Sequence, residues 1–293
     1  MKEIITCVKE SFARLSHSQV KDSGNIISFP AAAKNTKGPK IFAAVCGKLS
    51  DLSKIIKKTS NVAIVSSGED FPTLSQPKLL ECRSLQVLGL QEFLIEPQIV
   101  KDLNLKYFES LNLGEIRDDI SRVEPLLREC EYVLIDLKSV KHSECSISQN
   151  PNGFQSEELS QVAHYIGCSQ NLKGVIIYGA EKNAHPSSYN LIAQLIWIIS
   201  NSHLHNIVED PSDAYKKGKS ASNFQHKIVD FNNDGESIVF ISSLESGRLW
   251  MEVPIVKKNK VVLVPCSDFD FQQAINETIP NKWLMYYSKY NIL

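Results

Sequence analysis

The sequence predicts an α/β protein in which helices cover both faces of a mostly parallel sheet. Short, solidly apolar segments occur at 61–65, 132–136 and 174–178, and strands buried on both faces have this composition. Strand and helix patterns alternate through the middle of the chain, which is typical of parallel sheets with crossover helices. A chain of 293 residues with 43% hydrophobic and 22% charged residues is long enough to bury a large core.

The first half of the chain contains several predicted elements. Apolar residues on one helical face, from Ile4 to Leu15, predict a helix over 1–15. Segment 25–29 reads as a short strand and 34–40 as a polar loop. Further elements are a helix over 41–58, strands at 61–65 and 85–88, and a helix over 113–127 whose apolar residues share one face.

The second half continues the alternation. The predicted elements are a strand at 132–136, a helix over 156–167 with Ser156 as N-cap, a strand at 174–178 and a helix over 188–202. The polar segment 206–227 is expected to be an excursion outside the core. Strands at 228–231 and 238–241 flank a turn, and a strand at 261–264 precedes a helix capped by Asp268. These elements together predict a single domain spanning 1–293.

Composition and charge exclude several classes of protein. The formal net charge of −1 provides no global positive field to hold nucleic acid or an anionic membrane. No segment reaches the ~18 apolar residues that a membrane span requires, and charged residues near the N-terminus argue against a signal peptide. The seven cysteines form no CxxC pair. We therefore expect reduced thiols and a cytoplasmic location.

Two strand ends carry the candidate site residues. Ligands of open parallel sheets bind at the carboxyl ends of the strands. The segment Ser67-Gly68-Glu69-Asp70 follows one predicted strand, and Asp136-Leu-Lys138 ends another. These residues are either remnants of a metal or substrate site, or turn residues in which Asp70 caps a turn and Asp136 forms an Asx-turn. Aspartate is so common in turns that residue type alone favours the second interpretation.

Other candidate sites are weaker. His142 and Cys145 have ligand-like spacing, but no second pair completes a metal site. His164 lies opposite the apolar face of its predicted helix and is expected to be solvated. A cysteine or serine nucleophile requires a positioned histidine and a third group to orient it. The sequence contains no known nucleophile motif and no phosphate-binding loop.

Several segments between about Leu85 and His203 follow a recognisable order, namely 88–93, 113–117, 123–128, 133–136, 150–154 with 157–158, and 191–197, and two segments of the tail, 248–254 and 264–268, continue it. With these segments the chain resembles the arginase/agmatinase/formimidoylglutamase family, the ureohydrolases. It is most similar to a divergent formimidoylglutamase-like branch.

The resemblance implies a three-layer α/β/α fold and, in active relatives, two manganese ions that activate a water. Of the family's metal ligands, only Asp136 is kept at a matching position. Ser66-Ser-Gly-Glu-Asp70 lacks the family's histidine, the Asp-x-His-x-Asp segment has no counterpart, and Lys138 replaces a carboxylate two residues after Asp136. The first strands are therefore expected to be reduced or deleted. Because two divalent ions require several oxygen or imidazole ligands, we expect manganese to be lost.

Three functional hypotheses follow. The first is an arginase-like protein that has lost dimanganese amidinohydrolase activity and has a structural, binding or regulatory role. The second is a binder of small carboxylates that uses Lys138 in the old pocket. The third is an active metal-dependent hydrolase of linear amidines. Under the first hypothesis the ammonium of Lys138 replaces the metal as counter-ion and approaches Asp136 or the Glu69-Asp70 turn. The expected partner is a protein or a small molecule, and homo-oligomers are expected from the relatives.

Overall fold

The computed structural model describes residues 2–15, 41–49, 52, 55–72, 77–212, 223–231 and 236–292. The chain divides into two compact units, Met1–Asn206 and Ile207–Leu293. The single domain expected over 1–293 stays a prediction, because two compact units of one chain can still function as one domain. The strand expected at 25–29 and the loop at 34–40 lie outside the described residues.

A six-stranded parallel sheet forms the centre of the first unit. The elements are α1 (Lys2–Ala13), β1 (Phe42–Val45), β2 (Asn61–Val65), β3 (Ser84–Leu90), α2 (Pro97–Leu105), β4 (Glu109–Asn112), α3 (Leu113–Asp118), α4 (Val123–Leu127), β5 (Tyr132–Asp136), α5 (Ser156–Gly167), β6 (Gly174–Tyr178) and α6 (Pro186–Leu204). The strand order is β1-β6-β5-β2-β3-β4, and every pairing is parallel. The predicted mostly parallel sheet is confirmed.

Hydrophobic clusters cover both faces of this sheet. Alternate residues of a strand point to opposite faces, and β2 shows the consequence. Its Ala63 and Val65 pack in a cluster with residues of α1, α5 and α6, whereas Val62 and Ile64 pack in a second cluster with residues of α2. All four side chains are fully buried. The three-layer α/β/α architecture is therefore confirmed, and it explains why the strands are apolar at nearly every position.

Two predicted helices of the first unit are wrong in part. Within the helix expected over 41–58, Phe42–Val45 is a strand that pairs with β6. Four apolar residues are too few to show a helical or strand period, so pairing in the sheet decides the structure. The helix expected over 113–127 is broken, because the side chain of Asp119 accepts a hydrogen bond from Ser121 N and starts a 3-10 turn.

Other elements of the first unit match the prediction closely. The predicted strands at 61–65, 132–136 and 174–178 have the expected bounds, and α5 has those predicted for the helix over 156–167. The N-cap of α5 is Gln155 rather than Ser156, because Gln155 and Glu158 form a reciprocal capping box.

The second unit is an antiparallel sheet with two helices. It contains β7 (Phe224–Phe231), β8 (Glu236–Ser243), β9 (Leu249–Ile255), β10 (Lys260–Cys266), α7 (Asp268–Ile275) and α8 (Asn281–Asn291). The strand order is β10-β9-β8-β7, and Phe240, Met251 and Val253 are fully buried in its core. Because β7 begins at 224 rather than 228, the last part of the expected excursion is a strand.

The N-cap of α7 differs from the prediction. It is Ser267 rather than Asp268, because the Ser267 hydroxyl accepts a hydrogen bond from Asp270 N.

None of the helices in the described residues has the length and apolar character that crossing a bilayer requires.

Candidate functional site

The strand order brings several polar side chains together at one edge of the parallel sheet. Strands β6, β5 and β2 are neighbours in the sheet. Strand β6 ends at Tyr178, β5 ends at Asp136, and Ser66 follows the last residue of β2. Asp136 and Tyr178 are direct partners in the register of β5 and β6. We call the group Ser66, Ser67, Asp136, Lys138 and Tyr178 the carboxyl-edge cluster. It occupies the position at which open α/β sheets bind ligands.

Asp136, the last residue of β5, has a buried carboxyl group. It is 1% exposed. Its Oδ1 accepts a hydrogen bond from Lys138 N at 3.0 Å, and its Oδ2 accepts one from Ser66 Oγ at 3.4 Å. The first contact is the Asx-turn expected from the sequence. Burial raises the pKa of Asp136 to about 6, although the hydrogen bond from Lys138 N and the nearby ammonium oppose this change.

The ammonium of Lys138 forms an ion pair with Asp70. Lys138 Nζ lies 2.7 Å from Asp70 Oδ2, and this hydrogen bond is the main reason that the pKa of Lys138 is raised. The approach of Lys138 to the Glu69-Asp70 turn, expected from the sequence, is confirmed. The Asp70 side chain is 75% exposed, so the net contribution of the pair to stability is about 0–1 kcal/mol.

Two hydroxyl groups of the carboxyl-edge cluster have no hydrogen-bond partner in the part of the chain that the structure describes. They are Ser67 Oγ and Tyr178 Oη. Ser67 is fully buried and Tyr178 is 8% exposed. The Tyr178 hydroxyl approaches Asp136 and Ser66 without the geometry of a hydrogen bond, and burial followed by the charge of Asp136 raises its pKa. An unsatisfied buried hydroxyl costs about 1–3 kcal/mol, so these two atoms can gain from a polar ligand or a water.

The turn after β2 uses left-handed backbone conformations at two positions. Gly68 has φ +106°, and a Cβ at this position would lie 2.7 Å from Ile95 Cβ. Gly68 N donates to Ser66 Oγ at 3.2 Å, which fixes the turn beneath the cluster. Asp70 has φ 49°. Glu69 is exposed, and its charge contributes to the raised pKa of Lys138.

The donor groups of this edge do not fit two manganese ions. Each Mn²⁺ requires several oxygen or imidazole ligands. The edge offers the buried carboxyl group of Asp136, neutral hydroxyl groups, the exposed Glu69 and Asp70, and an ammonium that pairs with Asp70. Across the described ranges, no three His, Cys, Asp or Glu side chains are arranged to hold a metal. The His142–Cys145 pair is also engaged elsewhere, because His142 Nδ1 contacts Ser148 O and Cys145 is fully buried.

Sequence reasoning did not include Ser66 and Tyr178 among the site residues. Ser66 follows a predicted strand and Tyr178 is the last residue of another. The rule that ligands bind at the carboxyl ends of strands therefore applies to both, as it does to Asp136. It also missed Cys46, which follows β1 and whose pKa burial raises to about 11. The unrecognised strand β1 is the reason.

A second polar group that sequence reasoning missed lies at the end of α5. Cys168 Sγ is 3.7 Å from His164 Nε2, and His164 Nδ1 is 2.9 Å from Ser202 Oγ. His164 is exposed, as expected. The spacing of four residues between His164 and Cys168 on one helix was the available signal.

Comparison with known proteins gives a structural match but no sequence match. No protein-family model and no curated protein sequence matches the chain. Formiminoglutamase from Trypanosoma cruzi, solved with manganese at pH 6.0, aligns with a TM-score of 0.50 and 11% identity over 70% of this chain and 71% of that chain.

Two other solved structures are similar at lower scores. Agmatine ureohydrolase of Thermoplasma volcanium gives a TM-score of 0.48 and 12% identity, with 74% of this chain and 72% of that chain covered. Formimidoylglutamase from Bacillus subtilis gives 0.44 and 14% identity, with 51% and 55% covered. The chain thus spans about half the length of the Bacillus protein.

The structural match and the topology agree with the expectation from the sequence. The alignment with the Trypanosoma cruzi structure includes most of both chains, and the six-stranded parallel sheet lies between helical layers. At 11% identity this similarity concerns the fold alone. The chain has a three-layer α/β/α fold similar to that of the Trypanosoma cruzi formiminoglutamase structure.

Proposed function

We propose that this protein is a non-catalytic member of the arginase fold, without dimanganese amidinohydrolase activity, and that it has a binding or regulatory role. The ion pair between Lys138 and Asp70 carries the proposal. The ammonium of Lys138 already pairs with Asp70, a carboxylate that a metal site would need as a ligand. Asp136 in turn accepts hydrogen bonds from Lys138 N and Ser66 Oγ.

The charges of this edge favour a neutral polar ligand over a carboxylate. The edge contains the carboxyl groups of Glu69, Asp70 and Asp136 but one ammonium, Lys138, which is already paired. A carboxylate ligand would therefore meet net repulsion. The buried hydroxyls of Ser67 and Tyr178 instead need hydrogen-bond partners. A small neutral ligand with both donors and acceptors supplies them.

A cytoplasmic location and a protein or small-molecule partner are part of the same proposal. All seven cysteines lie in the described residues and are reduced, which is typical of proteins in a reducing compartment. We propose no nucleic-acid or membrane partner, because the net charge is −1. A homo-oligomer is proposed by analogy with the family resemblance, and size-exclusion chromatography with light scattering tests it.

Metal analysis and an activity assay test the loss of catalysis. The protein is dialysed against excess manganese, freed of unbound ions and analysed for metal. It is then assayed with arginine, agmatine and formimidoylglutamate, with the Trypanosoma cruzi formiminoglutamase as positive control. We expect no stoichiometric manganese and no urea or formamide release. A result of about one or two metals per chain together with product release would contradict the proposal.

The ligand hypothesis has its own measurement. A panel of small neutral polar compounds and a panel of small carboxylates are compared by thermal melting of the wild-type protein and of Tyr178→Phe. We expect stabilisation by a neutral compound that is reduced in Tyr178→Phe, because the substitution removes one of the unpaired hydroxyls. Stabilisation by carboxylates that is lost in Lys138→Met would instead support the carboxylate binder.

A further inference from the structure

A cysteine, a histidine and a serine form a connected chain of polar contacts where α5 meets α6. Cys168 follows the last residue of α5, and its Sγ lies 3.7 Å from His164 Nε2. The other ring nitrogen of His164, Nδ1, lies 2.9 Å from Ser202 Oγ on α6. This order of nucleophile, base and orienting group is the arrangement that activates a thiol.

Close packing of the two helices holds Ser202 in place. Gly167, beside Cys168, has no side chain where α6 approaches. A Cβ on Gly167 would lie 2.5 Å from Ile199 O and 2.6 Å from Ser202 Cβ. The ring of His203 also contacts the backbone, with Nδ1 3.2 Å from Gly167 O. The absence of a side chain at Gly167 therefore lets α6 present the Ser202 hydroxyl to His164.

The exposure of these residues suits a reaction with a small solute. Ser202 is 8% exposed, His164 is exposed and Cys168 is half-buried. The orienting group is thus fixed inside the protein, whereas the base and the thiol can be reached from solvent.

We propose that Cys168 is a nucleophilic thiol that peroxides oxidise to a sulfenic acid, with His164 as the base and Ser202 as the residue that positions it. The thiol proton passes to Nε2 of His164, and the sulfur attacks one oxygen of the peroxide. The O–O bond breaks, and the leaving hydroxide takes the proton from the imidazolium and departs as water. Sulfur is oxidised and hydrogen peroxide is reduced to water, so the step needs no other reactant.

Two other cysteines of the chain, Cys7 and Cys46, serve as internal controls for this reaction. Cys7 is half-buried, like Cys168, and lies on α1. Cys46 is also half-buried, but burial raises its pKa to about 11, so it should react slowly. Comparing the three thiols within one molecule separates activation by His164 from simple exposure.

Trapping with dimedone measures the proposed oxidation. The full-length protein is treated with hydrogen peroxide at pH 7 in the presence of dimedone, and the adduct at each cysteine is followed over time by mass spectrometry. We expect the rate at Cys168 to exceed that at Cys7 by about tenfold or more, since proton transfer to a neighbouring base increases the reactive thiolate. Because His164 is exposed, we expect His164→Gln to leave the fold intact. In this variant the rate of oxidation at Cys168 should fall to that of Cys7.

The role of Ser202 needs a measurement that a purely structural effect would not change. In Ser202→Ala we expect a slower reaction at Cys168, an unchanged rate at Cys7, and altered ¹⁵N chemical shifts of the His164 ring that report a changed tautomer. Equal rates at Cys168 and Cys7 in the wild type, or a fast rate at Cys168 that persists in His164→Gln, would overturn the proposal.

Discussion

Stability should depend on pH through the buried carboxyl group of Asp136. Burial raises its pKa from 3.8 to about 6 in the folded protein, while the unfolded chain keeps the usual value. Between these values the folded state binds more protons than the unfolded state, so the free energy of unfolding falls as pH rises. The contribution of Asp136 is fully present below about pH 4 and is lost as pH rises through about 6. The interval between the two pKa values corresponds to about 3 kcal/mol.

The substitution Asp136→Asn should remove this fall in the free energy of unfolding with rising pH. The amide oxygen can still accept from Lys138 N, and the amide nitrogen can donate to Ser66 Oγ, so the local hydrogen bonds are retained. We expect the variant and the wild type to have similar free energies of unfolding at pH 4, and the variant to be more stable by about 3 kcal/mol at pH 7.5.

Urea denaturation at a series of pH values measures the difference. Because other carboxyl groups titrate in both proteins, the difference between wild type and variant isolates Asp136. Asp70→Asn is the matched control, since it removes a carboxyl group from the same edge whose side chain is 75% exposed. Because this variant retains Asp136, its stability should still fall with rising pH as that of the wild type does. A wild type that gains stability relative to Asp136→Asn between pH 4 and 7 would refute the reasoning.

Three further substitutions test the packing and charges of the first unit, each by urea denaturation at pH 7. Gly68→Ala should destabilise by about 1–3 kcal/mol, because φ is +106° and the new Cβ would meet Ile95; an unchanged midpoint would contradict this. Arg128→Met should destabilise by about 3 kcal/mol, because it removes one partner of an ion pair with Glu124 in which the guanidinium is fully buried; a neutral effect would contradict this. Lys138→Met should change stability by less than about 1 kcal/mol, and a larger loss would show that its ion pair is more than a surface contact.

The most accurately predicted parts of the fold are the strands buried on both faces. The segments 61–65, 132–136 and 174–178 have the expected bounds, because continuous burial leaves a continuous apolar run in the sequence. Strand β1 was mistaken for helix because its four residues contain no period. Its structure depends on pairing with β6, more than 125 residues later in the chain, and local sequence contains no information on that pairing.

The sequence predicted which candidate residues lie at the carboxyl edge of the sheet, but not the orientation of the Lys138 side chain. Placing Asp136 and the Ser67–Asp70 turn at the carboxyl edge required only the strand assignments. The orientation of Lys138 was expected from an ideal strand, on which residues two apart face the same side. Strand β5 instead ends at Asp136, and Leu137–Ser139 form a 3-10 turn. The ammonium consequently reaches Asp70, while the backbone N–H of Lys138 bonds Asp136.

The energetics of the carboxyl-edge cluster support a binding role over a purely structural one. A residue that serves the fold alone is expected to lower the free energy of the folded state. Ionised Asp136 raises it by about 3 kcal/mol at neutral pH, and the buried Ser67 hydroxyl, which has no hydrogen-bond partner among the described residues, adds about 1–3 kcal/mol. Apolar residues of similar size would avoid these costs. Under the proposed binding role, a ligand that donates to Asp136 and pairs with Ser67 would recover part of this free energy on binding.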